Sequence, residues 1–99
     1  LNPSQFQRLN CTSACNLTGI APPSGTGAVH QDGRAIEIIN VGTQNLTIKH
    51  NVTSTAANRF FCSTGADIVL APNSMLYAQY DSTGADNATQ AGWRVWKLT

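Results

Sequence analysis

The chain has 99 residues, of which 41% are hydrophobic and only 11% charged, against about a quarter charged in an ordinary soluble domain. That length fits one domain, and the apolar content supports a core and excludes a disordered chain. The net charge is +1, and its Lys and Arg residues are scattered at 8, 34, 49, 59, 94 and 97, which excludes a nucleic-acid partner held by a basic block.

Residues 1–16 contain Pro3, polar clusters and no sustained period, so they read as an extended N-terminal arm or connector to a domain over 17–99. Phe6 and Leu9 are its large apolar residues and are expected to anchor it on a neighbour. Residues 17–21 predict a short first strand, halted by Pro22 and Pro23. A Gly-rich loop over 24–27, a short strand over 28–30 and a turn at Asp32-Gly33 follow.

The centre of the chain is the pair of runs 36–41 and 46–52, both β-branched and linked by Gly42-Thr-Gln-Asn45. Apolar residues at 36, 38, 46 and 48, with Glu37, Thr47 and Lys49 between them, give the period of half-buried strands. Together they predict a central hairpin. Further strands are expected over 59–62, 68–71, 75–80 and 93–98, with a long polar loop over 81–92. In the last strand Trp93, Val95 and Lys97 share one face and Arg94, Trp96 and Leu98 the other. Seven or eight short strands with near-regular turns, and no helical period, predict an all-β fold: a small β-sandwich or jelly roll.

The residue types offer little chemistry. Asp32, Asp67 and Asp86 sit in turns, where a carboxylate caps backbone N–H groups; a glycosidase pair among the acids would need a cleft that so short a chain hardly provides. His30 and His50 lack the partner motifs of a catalytic base, and His50 continues the Leu46, Ile48 face, as a buried, hydrogen-bonded histidine would. Gly25 and Gly27 are followed by neither the Lys-Ser/Thr nor the helix of a phosphate loop. No catalytic, cofactor-binding or metal residue is therefore assigned, and the chain is expected not to be an enzyme.

Cys11, Cys15 and Cys62 allow ordinary thiols, one disulfide such as Cys11–Cys15, or a zinc site with His30 or His50, although the ligand spacing of a zinc motif is missing. Asn10, Asn16, Asn45, Asn51 and Asn87 open glycosylation sequons and read as chance matches in an Asn- and Thr-rich chain. The word Ser63-Thr-Gly-Ala-Asp67 recurs as Ser82-Thr-Gly-Ala-Asp86, either as two equivalent ligand loops or as two turns built from the same turn-favouring residues. No apolar run is long enough to cross a bilayer, and the first residues lack a signal-peptide pattern. The start at Leu1 fits a processed product or a piece of a longer chain.

Leu17-Thr-Gly-Ile20, Asp32-Gly-Arg34, Asn40-Val-Gly-Thr43 with Leu46-Thr-Ile48, Asn58-Arg-Phe60, Asp67-Ile-Val-Leu70 with Pro72, Tyr80-Asp81 and Gly92-Trp-Arg94 occur in an order that resembles a β-rich module of tailed-bacteriophage structural proteins. Tail fibres, head fibres and related virion appendages carry such modules. The resemblance implies a homotrimer located in the virion, a fibre or capsid-surface (decoration) role without turnover, and partners among other virion proteins. The alternative it leaves open is an adhesin domain that recognises a host surface glycan or protein, through the 22–33 and 81–92 loops. The receptor-binding residues are not identified by the sequence.

Overall fold

A computed structural model describes residues 5–21 and 33–98. In chain order its strands are β1 (Gln5–Leu9), β2 (Cys15–Leu17), β3 (Ala35–Asn40), β4 (Leu46–Ile48), β5 (Phe60–Cys62), β6 (Ile68–Leu70), β7 (Met75–Asp81) and β8 (Gly92–Lys97), with a 3₁₀ turn at Ala56–Asn58. The domain is all-β and built from two mixed sheets. One is five-stranded in the order β1-β3-β7-β8-β5, and the other three-stranded in the order β2-β4-β6. The pairs β1/β3, β2/β4 and β5/β8 are parallel; β3/β7, β7/β8 and β4/β6 are antiparallel.

Alternation sorts the side chains as the sequence predicts. Ile36, Ile38, Leu76, Ala78, Tyr80, Trp93 and Val95 point from the large sheet into a core that Leu46, Ile48, Ile68 and Leu70 enter from the small one. Trp93, Phe60, Ile38 and Leu76 are among the fully buried residues, and burying such side chains stabilises the fold by about 1.5–3 kcal/mol each. The two buried aromatic anchors with polar tips are both satisfied: Trp93 Nε1–H donates to Ile20 O at 2.9 Å and the Tyr80 hydroxyl to Ala57 O at 2.8 Å. Their rings meet edge-on at 5.1 Å.

Two expectations are corrected. The central hairpin does not form, because β3 and β4 belong to different sheets. At the junction Asn40, 0% exposed, donates through its amide to Gln44 O (2.7 Å) and Leu70 O (2.9 Å) and accepts from Gly42 N–H (2.9 Å). Thr43 and Gln44 N–H both turn to Cys11 O at 3.2 Å. Gly42 lies so close under the Cys11 backbone that a Cβ there would collide with it. The link is thus a passage between sheets rather than a hairpin turn.

The extended arm is the second. Residues 5–9 are strand β1, in register with β3 from Gln5↔Ile36 to Leu9↔Asn40. Leu9 packs on this chain's own core, while Phe6 faces outward. Cys11 and Cys15 form a disulfide with Cα atoms 6.1 Å apart, at the step from the large sheet to the small one, and Cys62 is a separate buried thiol. The three cysteines therefore do not form one metal site, and among the described residues no group of three His, Cys, Asp or Glu could hold a metal ion. The strand expected over 28–30, the turn residue Asp32, and His30 lie outside the described residues.

Asn40→Leu should be the costliest polar substitution in the domain. It strands Leu70 O and Gly42 N–H in a dry site, with an expected loss of about 3 kcal/mol. Urea unfolding would show a lowered midpoint at unchanged slope.

Candidate functional site

On the outer side of the large sheet, over β5 and β8, lies a concavity of about 510 Å³, within the ~300–1,000 Å³ range of small-ligand pockets. Three segments build it. The floor comes from β5 and β8, where Phe61 and Arg94 pair in register and Trp96 follows outward. One wall is the turn after β5, with Ser63; the other is the 81–92 loop, with Asp86 and Asn87. His50 and Asn51 close the far side of β5.

The 81–92 loop, read from the sequence as a long polar loop, is braced. Asp81 Oδ1 accepts from Thr83 N–H (3.0 Å) and Gly84 N–H (2.9 Å). Arg94 spans the loop: Nε donates to Asp81 Oδ2 at 2.9 Å, one terminal nitrogen to Asn87 Oδ1 at 3.1 Å, and the other to Gly84 O at 2.6 Å. Further along, Asp86 Oδ1 caps Ala88 and Gln90 N–H at 2.9 and 3.0 Å, and Ala85 N–H reaches Gln90 O at 2.8 Å. Gly92, at the loop's exit, has no room for a Cβ against the Phe61 ring.

The acids are lowered by these same contacts. Thr83 N–H, then Arg94, hold the Asp81 carboxyl down to about 2. Gln90 N–H lowers Asp86. Asp67 is lowered chiefly by Lys49, 2.7 Å away, and next by His50 N–H. All three carboxylates cap backbone N–H groups.

His50 is half-buried rather than fully enclosed, and its role is structural: Nδ1 accepts the Cys62 N–H at 3.0 Å, which places the neutral ring's proton on Nε2. Asn51 N–H donates to Phe60 O at 2.8 Å. Together these two contacts occupy the outer edge of β5. The Cys62 thiol is pushed up to about 11, first by burial and then by the Asp67 charge, so at neutral pH it is protonated and a poor nucleophile.

Both copies of the repeated word line this concavity, Ser63 and Gly65 from the first, Ala85 and Asp86 from the second. They are not equivalent turns. In the first, Gly65 N–H returns to Cys62 O and Asp67 reaches across to His50; in the second, Asp86 caps the residues after it. The repetition was accounted for in the sequence by turn-favouring residues alone, and it did not locate this site. Trp96 and Asn51 carried no signal of their own, since only the three-dimensional pairing of β5 with β8 brings them to the site. Comparison with family models, curated proteins and solved structures finds no match to this chain.

Because Asp81 is depressed in the folded state, its contribution to stability is present above its unfolded value near 4 and is lost as pH falls toward about 2. With Arg94 35% exposed, screening leaves about 1 kcal/mol for this effect. Urea titrations from pH 5 to about 2 should show a shallower acid loss in Asp81→Asn than in the parent, with the variant already weaker at pH 5.

Proposed function

We propose that this chain is a non-enzymatic, self-assembling virion module, of the phage fibre or capsid-surface (decoration) type, and that its two sheets act as a small sandwich or jelly roll. The observation that carries the reading is the outer face of the large sheet. Phe6 (40% exposed), Glu37 and Tyr77 lie in one register row across β1, β3 and β7, and Leu98 is 51% exposed. Ile39 and Met75 lie beside this row, half-buried. Such a face on a chain with few charges suits packing against copies of itself. Arg8, seated 4.8 Å over the Phe6 ring, and Glu37 in the next strand supply opposite charges on the same face, so that one copy's Glu37 has a partner in another's Arg8.

The motif residues of the phage resemblance also occupy positions the fold cannot easily change. Asn40 and Gly42 make the passage between sheets, Trp93 reaches Ile20, and Asp81 with Arg94 braces the loop. A catalytic role is not supported by groups already committed: the capping carboxylates, a raised thiol and a histidine that closes a strand edge.

Light scattering at micromolar concentration should give three times the 10.5 kDa chain mass, and Phe6→Asp with Leu98→Asp should return the monomer. A monomeric parent would overturn the assembly reading. A second reading, attachment to a host surface receptor, is favoured by the walled concavity on the β5 side of β8, which Phe6 and Leu98 do not line.

A further inference from the structure

We propose that the concavity over β5 and β8 is a binding site for a neutral saccharide, with Trp96 as the stacking surface for a hexopyranose ring and Ser63, Asn51, Asp86 and Asn87 as its hydroxyl partners. The inference rests on the second reading above and not on self-association.

Its argument is the mismatch between what the walls offer and what the protein uses. Asn87 gives its Oδ1 to Arg94 and Asn51 its Oδ1 to Arg59, yet neither Nδ2 has a partner among the described residues. The same holds for Asp86 Oδ2, the Ser63 hydroxyl and His50 Nε2–H. Both donors (the two Nδ2 groups and His50 Nε2–H) and acceptors (Asp86 Oδ2 and the Ser63 hydroxyl) are among them, as hydroxyl groups that both donate and accept require. Trp96 stands at the margin, 37% exposed and tilted against its cross-strand neighbour Tyr77 at 5.9 Å, so the ring is steadied from the side by another. An aromatic face for C–H groups with side-chain amides and a carboxylate around it is the chemistry that holds a sugar ring.

Other ligand classes fit less well. Arg94 is spent on Asp81, Asn87 and Gly84, and the Asp86 carboxylate lines the same site, which disfavours an anion. Asp86 is the one carboxylate lining the site, too few for a hard cation. A peptide strand cannot add to β5, because His50 and Asn51 already occupy that edge. Both Asn51 and Asn87 hold left-handed backbone, φ 46° and 64°, which asparagine tolerates and which glycine would also accept.

The test is a ¹⁵N NMR titration of the full chain with methyl glucoside, methyl galactoside, methyl mannoside and N-acetylglucosamine, using sulfate and N-acetylneuraminate as anionic comparators. At least one neutral sugar should shift the Trp96 indole N–H and the Asn87 side-chain amide saturably, with Kd of about 1 mM or tighter. The Trp93 indole, bonded inside the core, should stay put and reports that the fold is intact. Trp96→Ala and Asn87→Gly should each weaken binding at least about tenfold. Glycine accepts the left-handed backbone of Asn87, and unchanged 81–92 amide shifts in the sugar-free variant report that loss of its bond to Arg94 has not moved the loop. No saturable shift with any neutral sugar, shifts that survive both substitutions, or tighter binding of either anion would overturn the proposal. Light scattering on the same samples reads assembly separately, so loss of one result leaves the other standing.

Discussion

Asn40 is the residue on which the two-sheet arrangement turns. A primary amide in a site with no solvent is tolerable only when each of its groups is matched. Here both N–H groups and the carbonyl find backbone partners on two segments, the link to β4 and the end of β6, and the main chain of the same residue adds Ser74 O and Asn73 N–H. The end of β3, the link to β4, the end of β6 and the approach to β7 are thereby fixed at one point. Gly42 under Cys11 then allows the first segment of the chain to pass directly beneath the link. Hydrophobic burial supplies most of the stability, but it does not say where one sheet stops and the next begins. The amide does.

The second fixed point is at the opposite side of the large sheet, where Arg94 gathers the loop between β7 and β8. Its three side-chain bonds convert a Gly-, Ser- and Thr-rich stretch into a wall with defined positions. Backbone N–H groups that water would otherwise satisfy go to Asp81 and Asp86. A loop built in this way can present side chains without having to order itself on binding, which lowers the entropic penalty of association. The outer face thus divides between an apolar side near β1 and a polar cup near β5, with Tyr77 and Trp96 at the boundary.

Much of this was legible from residue order. Period-two alternation put Ile36, Ile38, Leu46 and Ile48 on buried faces and separated Trp93 and Val95 from Arg94 and Trp96, because that signal depends only on local geometry. It left open which of those last two faces is inside. Strand pairing was not legible. The runs at 36–41 and 46–52 look like hairpin partners, and nothing in their composition reveals that a buried Asn40 and a crowded Gly42 send them to different sheets. Residues 5–9 were missed as a strand because Gln5, Gln7 and Arg8 dilute the pattern, as they can at a sheet edge where a neighbour on one side is enough. The concavity was missed because His50, Ser63 and Asn87 are far apart in sequence and meet only through the parallel register of β5 with β8.

That parallel pairing has a kinetic side. Three of the six strand ladders are parallel, and each joins segments separated by a long stretch of chain, from Leu9 to Ala35, Leu17 to Leu46 and Cys62 to Gly92. The cost of closing such loops falls before any contact repays it, a wiring associated with folding in milliseconds to seconds rather than microseconds. During synthesis β1 emerges before β3, the strand it pairs with, so it spends that interval without this partner. On a crowded polysome the β3 it meets can belong to a neighbouring nascent chain, and a copy that captures its neighbour's first strand gains the same ladder as one that captures its own. Topology thus makes the first strand the part of this molecule most readily exchanged between chains.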